Sequence, residues 1–423
     1  MNFYSFKSII AASKTPISMS KPSDSFHVAK EPDFKYIEPE FTKEEFEIEK
    51  PAVILVSAAG ATGKSALANI LSYELSIPLL DLSKHKPVGD NTLTGLVAES
   101  FDVDDLSKVF NAFQKGTHGI IIDGVDEGRA KVTEKAFDAF LDDIAQRCKD
   151  TTITSFVLLG RTNVLEDCWL YLTDKGISTG LISIQPFDVN NAKKYIDTLT
   201  GGIDSSFAAE YEATRDAILN LLSAAFHEKE GDKTKGFLPF IGYPPVLDAI
   251  ATLLKGERDY HQLRHNITNV GAGIIEIELL SKISDYILNR EREQKVHPNI
   301  LAPIIKDLPL ERRKSIKENA YDVKEQCQRL VSYCLDKPLK MHTIPEAALN
   351  DKYEEQLSKF IPEHPFINKN SFRNAVFESF ALATLMASND PKCIPTVLEY
   401  ANSHKHSYHL VYFLNQLAAG SPM

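Results

Sequence analysis

Apolar residues come in short, nearly unbroken runs in the first half of the chain, and a longer stretch with helical spacing of apolar positions follows most of them. Such runs predict strands that are buried on both faces of a parallel sheet. Strands alternating with helices predict a doubly wound α/β domain that ends near residue 200. The predicted strands are 52–56, 77–82, 118–123, 154–160 and 180–184, and the predicted helices are 64–75, 104–115, 131–148 and 164–174.

The pattern changes after residue 200, where no further strands are indicated. Helical periodicity extends over 205–227, 243–255, 272–290 and 309–335. The remainder, 340–423, is mixed but mostly helical, with a pronounced helix predicted over 371–388. The second half of the chain is therefore predicted to be largely helical.

The first predicted strand runs into a loop of small residues that leads directly into a helix. Small side chains at Ala58, Gly60 and Gly63 allow the backbone to fold around a phosphate, toward which amide groups and the helix dipole point. Lys64 can then reach the outer phosphates, and the Ser65 hydroxyl can bind Mg²⁺. The pattern is that of a Walker A motif in which Ala58 replaces the first glycine. The candidate nucleotide-binding residues here are Ala59, Gly60, Ala61, Thr62, Gly63, Lys64 and Ser65.

A second motif lies at the end of the third predicted strand and resembles a Walker B motif. Asp123 ends this apolar run, which places a carboxylate at the carboxyl edge of the sheet, where it can hold the Mg²⁺ shell. Asp126 and Glu127 follow just past the strand and can polarise an attacking water.

A third motif is the arginine that follows the next predicted strand. Arg161 should emerge on the same edge of the sheet as Lys64 and Asp123, where a guanidinium can sense or neutralise a terminal phosphate. The three motifs together predict a shared triphosphate pocket with Asp126, Glu127 and Arg161 as catalytic residues and with Ser65 and Asp123 at the metal.

Composition narrows the class of protein. With 58 acidic and 47 basic residues the 423-residue chain has a formal charge of −11, which argues against a broad nucleic-acid footprint. Five cysteines without CxxC spacing indicate neither a zinc site nor a disulfide framework, and a reduced, cytoplasmic setting is expected. No apolar run approaches the roughly 18 residues that a membrane span needs.

The three motifs resemble those of the STAND class of P-loop NTPases, and of its NACHT branch in particular. The residues that carry this resemblance are Asp123-Gly124-Val125-Asp126-Glu127 and the step Pro186-Phe187-Asp188 before a predicted helix. Gly242-Tyr243-Pro244-Pro245 is similar to the proline motif of the family's small helical domain. The resemblance implies that Pro244 or its neighbour Pro245 packs against the nucleotide base.

Residues 371–383 are similar to the end of the family's winged-helix domain. Family members often carry a histidine here that reaches the β-phosphate of ADP, and this chain has Asn374 at the nearest position. The resemblance covers roughly residues 50–388, and together with the rest of the sequence it predicts five segments: an N-terminal arm, a P-loop NTPase domain, a small helical domain, a winged-helix-like helical domain and C-terminal helices. Their bounds are 1–45, 46–200, 201–268, 269–390 and 391–423.

The function implied by the resemblance is a molecular switch with slow ATP hydrolysis. ADP keeps the molecule closed, ATP favours a self-associating form, and prokaryotic members often act in antiphage or stress defence with an effector or sensor partner. Hydrolysis could need an arginine from a neighbouring protomer, for which Arg129, Arg258 and Arg264 are candidates.

Two other functions fit the motifs. A P-loop kinase acting on a small molecule is one, although such enzymes usually need arginines around both substrates and this chain has none before Arg129. A scaffold that binds nucleotide without hydrolysing it is the other. The sequence contains no guanine-reading motif, which is weak evidence for ATP over GTP.

Overall fold

The structure is a computed structural model, and it divides into two compact units, Met1–Phe187 and Asp188–Met423. We call these unit 1 and unit 2. The described residues are all except 12–17, 33–34, 150, 152, 202–207, 228–239, 270–271, 338, 340, 389, 392, 404–408 and 421–423.

Unit 1 is built on a seven-stranded, mostly parallel sheet. Its strands are β1 (Phe26–His27), β2 (Phe41–Glu45), β3 (Val53–Ser57), β4 (Leu79–Asp81), β5 (Ile120–Asp123), β6 (Phe156–Gly160) and β7 (Thr179–Ile184). They lie in the order β1-β4-β5-β6-β3-β7-β2. The five inner strands are parallel, whereas β1 and β2 pair antiparallel at the two edges.

Helices cover both faces of this sheet. They are α1 (Phe3–Ala11), α2 (Lys64–Leu75), α3 (Thr92–Ser100), α4 (Val103–Gln114), α5 (Val125–Ala130), α6 (Glu134–Cys148) and α7 (Thr162–Asp174). Because side chains alternate along a strand, Ile54 and Val56 of β3 pack in one core with α1 and α2. Val53 and Leu55 pack in a second core with α3, α4, α6 and α7. An α/β domain with a mostly parallel sheet is thus confirmed.

The five predicted strands and four predicted helices of this half are all present, with ends that differ by about three residues or fewer. The predicted N-terminal arm, residues 1–45, contributes helix α1 and the edge strands β1 and β2, and the sequence analysis did not predict these two strands. Helix α1 packs on the sheet through Phe3, Phe6 and Ile10, and β2 pairs with β7. Strand β2 was missed because Phe41 is its one buried residue, so a polar edge strand has no apolar run.

Unit 2 is mainly helical in its described part. Its α-helices are α8 (Val189–Thr200), α9 (Ala208–His227), α10 (Pro244–Gly256), α11 (Tyr260–Asn269), α12 (Ala272–Glu291), α13 (Ala302–Ile305), α14 (Leu310–Asn319), α15 (Val323–Cys334), α16 (Ala347–Phe360), α17 (Ala375–Ala387), α18 (Ile394–Ser403) and α19 (His409–Gly420). A π-helix, Arg292–Leu301, joins α12 to α13, and a 3-10 turn, Ile361–Glu363, follows α16. A two-stranded antiparallel hairpin of β8 (Ile367–Asn368) and β9 (Ser371–Phe372) precedes α17. Parts of the predicted small helical domain, 202–207 and 228–239, lie outside the described residues.

Two predicted helices of unit 2 have different bounds in the structure. The segment 309–335 forms two helices rather than one, because Tyr321 adopts a left-handed backbone with φ of 56° and Asp322 caps the second helix. The helix predicted from residue 371 begins at Ala375 instead. Asn374 is its cap, and residues 371–372 belong to the hairpin.

A buried ion network stabilises the helical core of unit 2. The Arg329 guanidinium donates to Glu325 at 2.8 Å and to both oxygens of Glu354 at 2.9 and 2.7 Å. These side chains are only 5%, 6% and 12% exposed, so removal of one partner would leave a buried charge without compensation. The network has a structural role.

Candidate functional site

The carboxyl ends of β3 and β6 form the point where the sheet connections diverge. The two strands are parallel neighbours, yet α2 leaves β3 toward one face and α7 leaves β6 toward the other. In open α/β sheets such a divergence opens a crevice in which ligands bind. All three sequence motifs of unit 1 converge on this edge.

The loop between β3 and α2 has the backbone conformation that wraps around an anion. Ala61 and Gly63 both have positive φ, 57° and 88°. Gly63 is also the cap residue of α2, so no side chain competes for the amide groups at the amino end of that helix. The Thr62 hydroxyl donates to the Ala59 carbonyl at 2.8 Å, which closes the loop.

Lys64 lies in the first turn of α2 and folds over the loop. Its ammonium Nζ donates to the carbonyl oxygens of Ala58 and Ala59 at 3.2 and 2.8 Å. Burial and then the nearby Arg161 lower the pKa of Lys64, while three neighbouring carboxylates oppose this shift. The lysine and the arginine thus share one electrostatic environment, to which Asp126, Glu127 and Asp123 also contribute.

Asp123 ends β5 and lies beside Ser65. Burial raises the pKa of the Asp123 carboxyl, although hydrogen bonds from the Ser65 hydroxyl and the Gly124 amide favour its ionised form. The neighbouring strand β4 ends at Asp81, which pairs in register with Asp123. Repulsion from Asp81 further raises the pKa of Asp123. The Ser83 amide and hydroxyl donate to Asp81, so this second carboxylate is engaged locally.

Asp126 and Arg161 form a close ion pair at the same edge. Asp126 Oδ2 accepts from Arg161 Nε at 2.9 Å, and Oδ1 accepts from the Arg161 backbone amide at 3.2 Å. The Asp126 side chain is 2% exposed and that of Arg161 is 23% exposed. Sequence reasoning placed both residues near the phosphates, but it did not foresee that they bind each other.

Glu127 differs from its neighbour Asp126 because the residue is exposed to solvent. Its carboxyl group nevertheless lies close to Gly124, where an added Cβ would approach Glu127 Oε2 to 3.1 Å. Burial of this carboxyl group, and then repulsion from Asp126, raise the pKa of Glu127 to about 7. A carboxyl group with a pKa near neutrality can exchange protons under physiological conditions.

One residue that sequence reasoning missed is Gly160, the last residue of β6. A Cβ at this position would lie 3.1 Å from Val125 Cβ and 3.3 Å from Asp126 Oδ1. The Gly160 carbonyl also accepts from the Ala58 amide at 3.2 Å, which ties β6 to the start of the loop. The signal in the sequence was a glycine directly before the arginine of the third motif.

The two predicted nucleotide contacts of the second half belong to unit 2. Pro244 is buried and begins α10. Asn374 Oδ1 accepts from the Val376 and Phe377 amides at 3.1 and 3.0 Å, so this side chain caps α17, and its Nδ2 is buried without a hydrogen-bond partner among the described residues. The nucleotide contacts of both residues stay predictions.

Further features of the described residues bear on ligands. They contain no group of three or more His, Cys, Asp or Glu side chains arranged to hold a metal ion. None of their helices has both the length and the apolar character of a membrane span.

A cavity of about 400 Å³ in unit 2 is lined by Arg292 and His297, among others. Arg292 donates to the carbonyls of Lys317, Glu318 and Ala320 at the end of α14, so we assign it a capping role.

Comparison with known proteins adds no family to this description. No protein-family model matches the chain, and no curated protein is similar to it at a significant level.

Proposed function

We propose that the protein is a nucleotide-dependent molecular switch of the STAND class of P-loop NTPases, similar to the NACHT branch. In this proposal it binds ATP and ADP, hydrolyses ATP slowly, and controls self-association or signalling to a partner protein. One observation carries the proposal. Lys64, Asp123 and Arg161 share the carboxyl edge of the sheet at its point of divergence, beside the uncapped amino end of α2.

Phosphate binding is supported by the loop between β3 and α2. Positive φ at Ala61 and Gly63 turns successive amide groups toward one side, and the α2 dipole adds positive potential there. Lys64 already lies over this loop, from which it can exchange carbonyl partners for phosphate oxygens. We assign Ala59, Gly60 and the following residues through Ser65 to the phosphates.

Ser65 and Asp123 fit a Mg²⁺ ion that accompanies the nucleotide. Their hydrogen bond brings a hydroxyl and a carboxylate oxygen together, and Mg²⁺ is commonly held by one or two such protein oxygens plus phosphates and waters. When bound, the ion would neutralise charge on the outer phosphates. The small number of protein ligands agrees with a metal that arrives with its nucleotide.

Hydrolysis in this proposal depends on Glu127 and Arg161. Glu127 is an exposed residue, and its carboxyl group, with a pKa of about 7, can accept a proton from water at neutral pH. The Arg161 guanidinium can stabilise negative charge that develops on the terminal phosphate. Turnover by this set is expected to be slow when no further arginine contributes.

Unit 2 contributes the switching half of the proposal. Pro244 is assigned to the base and Asn374 to the β-phosphate of ADP, and the β8–β9 hairpin followed by α17 supports a winged-helix-like region. To change the protein from mostly closed to mostly open, a nucleotide must bind the open form about 5.5 kcal/mol more tightly than the closed form. Contacts made together only in one arrangement of the molecule can supply such a difference.

Self-association in the ATP state could add an arginine from a neighbouring protomer. Of the three sequence candidates, Arg129 is already paired with Asp167 at 2.6 Å. Arg258 is exposed and Arg264 is half-buried. We therefore rank Arg258 first. A partner protein, a role in antiphage or stress defence and a cytoplasmic location belong to the same proposal.

Sedimentation velocity tests the switch. We expect the ADP-loaded protein to sediment as a monomer and the same protein with Mg²⁺ and a non-hydrolysable ATP analogue to form larger species. Glu127→Gln should assemble with ATP itself, because the triphosphate persists. Identical sedimentation with both nucleotides would refute the switch, and ATP turnover that needs an added small-molecule acceptor would favour a kinase.

A further inference from the structure

We infer that Asp126 and Glu127, although adjacent, have separate tasks: Asp126 is a positioning residue that holds Arg161, and Glu127 alone acts on water. This inference rests on the proposed function. It assigns different roles to two adjacent acidic residues for which the sequence alone indicated the same role. It predicts that Asp126 affects recognition of the terminal phosphate, through Arg161, rather than the proton transfer.

The geometry of the Asp126 carboxylate supports this division. One oxygen accepts the Arg161 backbone amide and the other accepts Nε, at 3.2 and 2.9 Å. The side chain is 2% exposed, so water has almost no access to it. A general base must lie within hydrogen-bond reach of the water it deprotonates. Asp126 faces the arginine instead.

The pairing fixes the direction of the guanidinium. A carboxylate that accepts from both the backbone amide and Nε of one arginine restrains the backbone of that residue and the guanidinium end of its side chain. Charge-assisted hydrogen bonds of this kind are stronger and more directional than neutral ones. Arg161 is thereby held at the edge of the sheet where Lys64 also lies.

A glycine beside Arg161 leaves room for the ion pair with Asp126. Gly160 precedes Arg161, and a side chain there would come within 3.3 Å of Asp126 Oδ1 and 3.1 Å of Val125 Cβ. A glycine at this position lets the two segments approach. The same residue accepts a hydrogen bond from the Ala58 amide, which connects the pair to the phosphate loop.

Glu127 has a different environment, since it is exposed and its carboxyl group lies beside Gly124. Its side chain extends from the same short helix, α5, whose second residue is Asp126. Residues at consecutive helix positions point in different directions, so the Asp126 carboxylate reaches Arg161 while the Glu127 carboxyl group lies beside Gly124. The two tasks follow from that divergence.

A double-mutant cycle tests the inference. The proteins are the wild type, Asp126→Asn, Arg161→Gln and the double variant, each with measured affinities for Mg-ATP and Mg-ADP and a measured single-turnover rate. We expect each single substitution to reduce the ATP-over-ADP preference by roughly tenfold to a hundredfold, as for a lost charge-assisted bond. The double variant should be no worse than Arg161→Gln.

Two further variants keep the test decisive. Arg161→Lys retains the charge but not the Nε contact, and we expect it to lose the ATP preference in a protein whose thermal unfolding remains cooperative. Asp105→Asn removes the partner of Lys108 from an exposed pair and serves as the matched control, with no expected change.

The outcomes separate the inference from the proposed function. If Asp126→Asn retains the ATP preference but abolishes hydrolysis at every pH, Asp126 is the base and the inference is wrong. Additive effects of the two substitutions, or an unchanged preference in Arg161→Lys, also overturn it. If the wild type binds neither nucleotide, the proposed function itself fails.

Discussion

Ionisation of Glu127 should control the rate of ATP hydrolysis near neutral pH. Burial of its carboxyl group and repulsion from Asp126 raise the pKa from an ordinary 4.5 to about 7. A general base acts only in its ionised form, so the hydrolysis rate should rise with pH and level off above about pH 7. An ordinary glutamate would already be ionised throughout this range.

The size of the effect follows from the pKa. Roughly a tenth of the Glu127 side chains are ionised one pH unit below the pKa, and roughly nine tenths one unit above it. The value of kcat/KM should therefore rise about tenfold between about pH 6 and about pH 8. We choose kcat/KM because it reports ionisations of the protein before nucleotide binds.

The assay is single-turnover hydrolysis of Mg-ATP at a nucleotide concentration well below saturation, across this pH range. Glu127→Gln should be slow and independent of pH. Glu134→Gln, a change at an exposed glutamate in the first turn of α6, is the matched control and should behave as the wild type. A flat wild-type profile, or the same rise in Glu127→Gln, would refute the assignment of Glu127 as base.

Substitutions at three positions of unit 2 carry further predictions. Arg329→Met leaves Glu325 and Glu354 buried without their cation and should lower the free energy of unfolding by about 3–5 kcal/mol in denaturant titrations. Arg312→Met removes a half-exposed pair and should cost less than about 1 kcal/mol, and equal losses in the two variants would contradict this account. Asn374→Ala removes a helix cap and should cost about 1 kcal/mol, whereas Asn374→Ser keeps a capping oxygen. Weaker ADP binding by the folded Ser variant would support a phosphate contact, and unchanged binding would exclude one.

The inner sheet could be predicted from the sequence because its strands are buried on both faces. Short apolar runs such as the one that ends at Asp123, each followed by a helical pattern, are typical of strands in a parallel sheet. The same logic places the end of each strand, and therefore the edge on which Lys64 and Arg161 lie. Because the carboxyl ends of parallel strands lie on one edge of the sheet, these residues come together there, and the prediction needs no knowledge of other tertiary contacts.

Other parts of the fold could not be predicted because their signal is three-dimensional. Strand β2 contributes one buried residue, Phe41, and its remaining residues are exposed, as suits an edge. The helix break at Tyr321 depends on a left-handed backbone at a non-glycine residue, which no local pattern indicates. Likewise, nothing in the spacing of Asp126 and Glu127 shows that the first binds an arginine and the second lies beside Gly124.

The central claim is that the edge of the sheet at Lys64 binds the phosphates of a nucleotide. Calorimetric titration of the protein with Mg-ATP and Mg-ADP tests it most directly, in the wild type and in Lys64→Ala. We predict saturable binding by the wild type and none by Lys64→Ala, whose thermal unfolding should stay cooperative because, among the described residues, Lys64 donates only to the two loop carbonyls. Equal affinity in both proteins, or no binding by the wild type, would contradict the account.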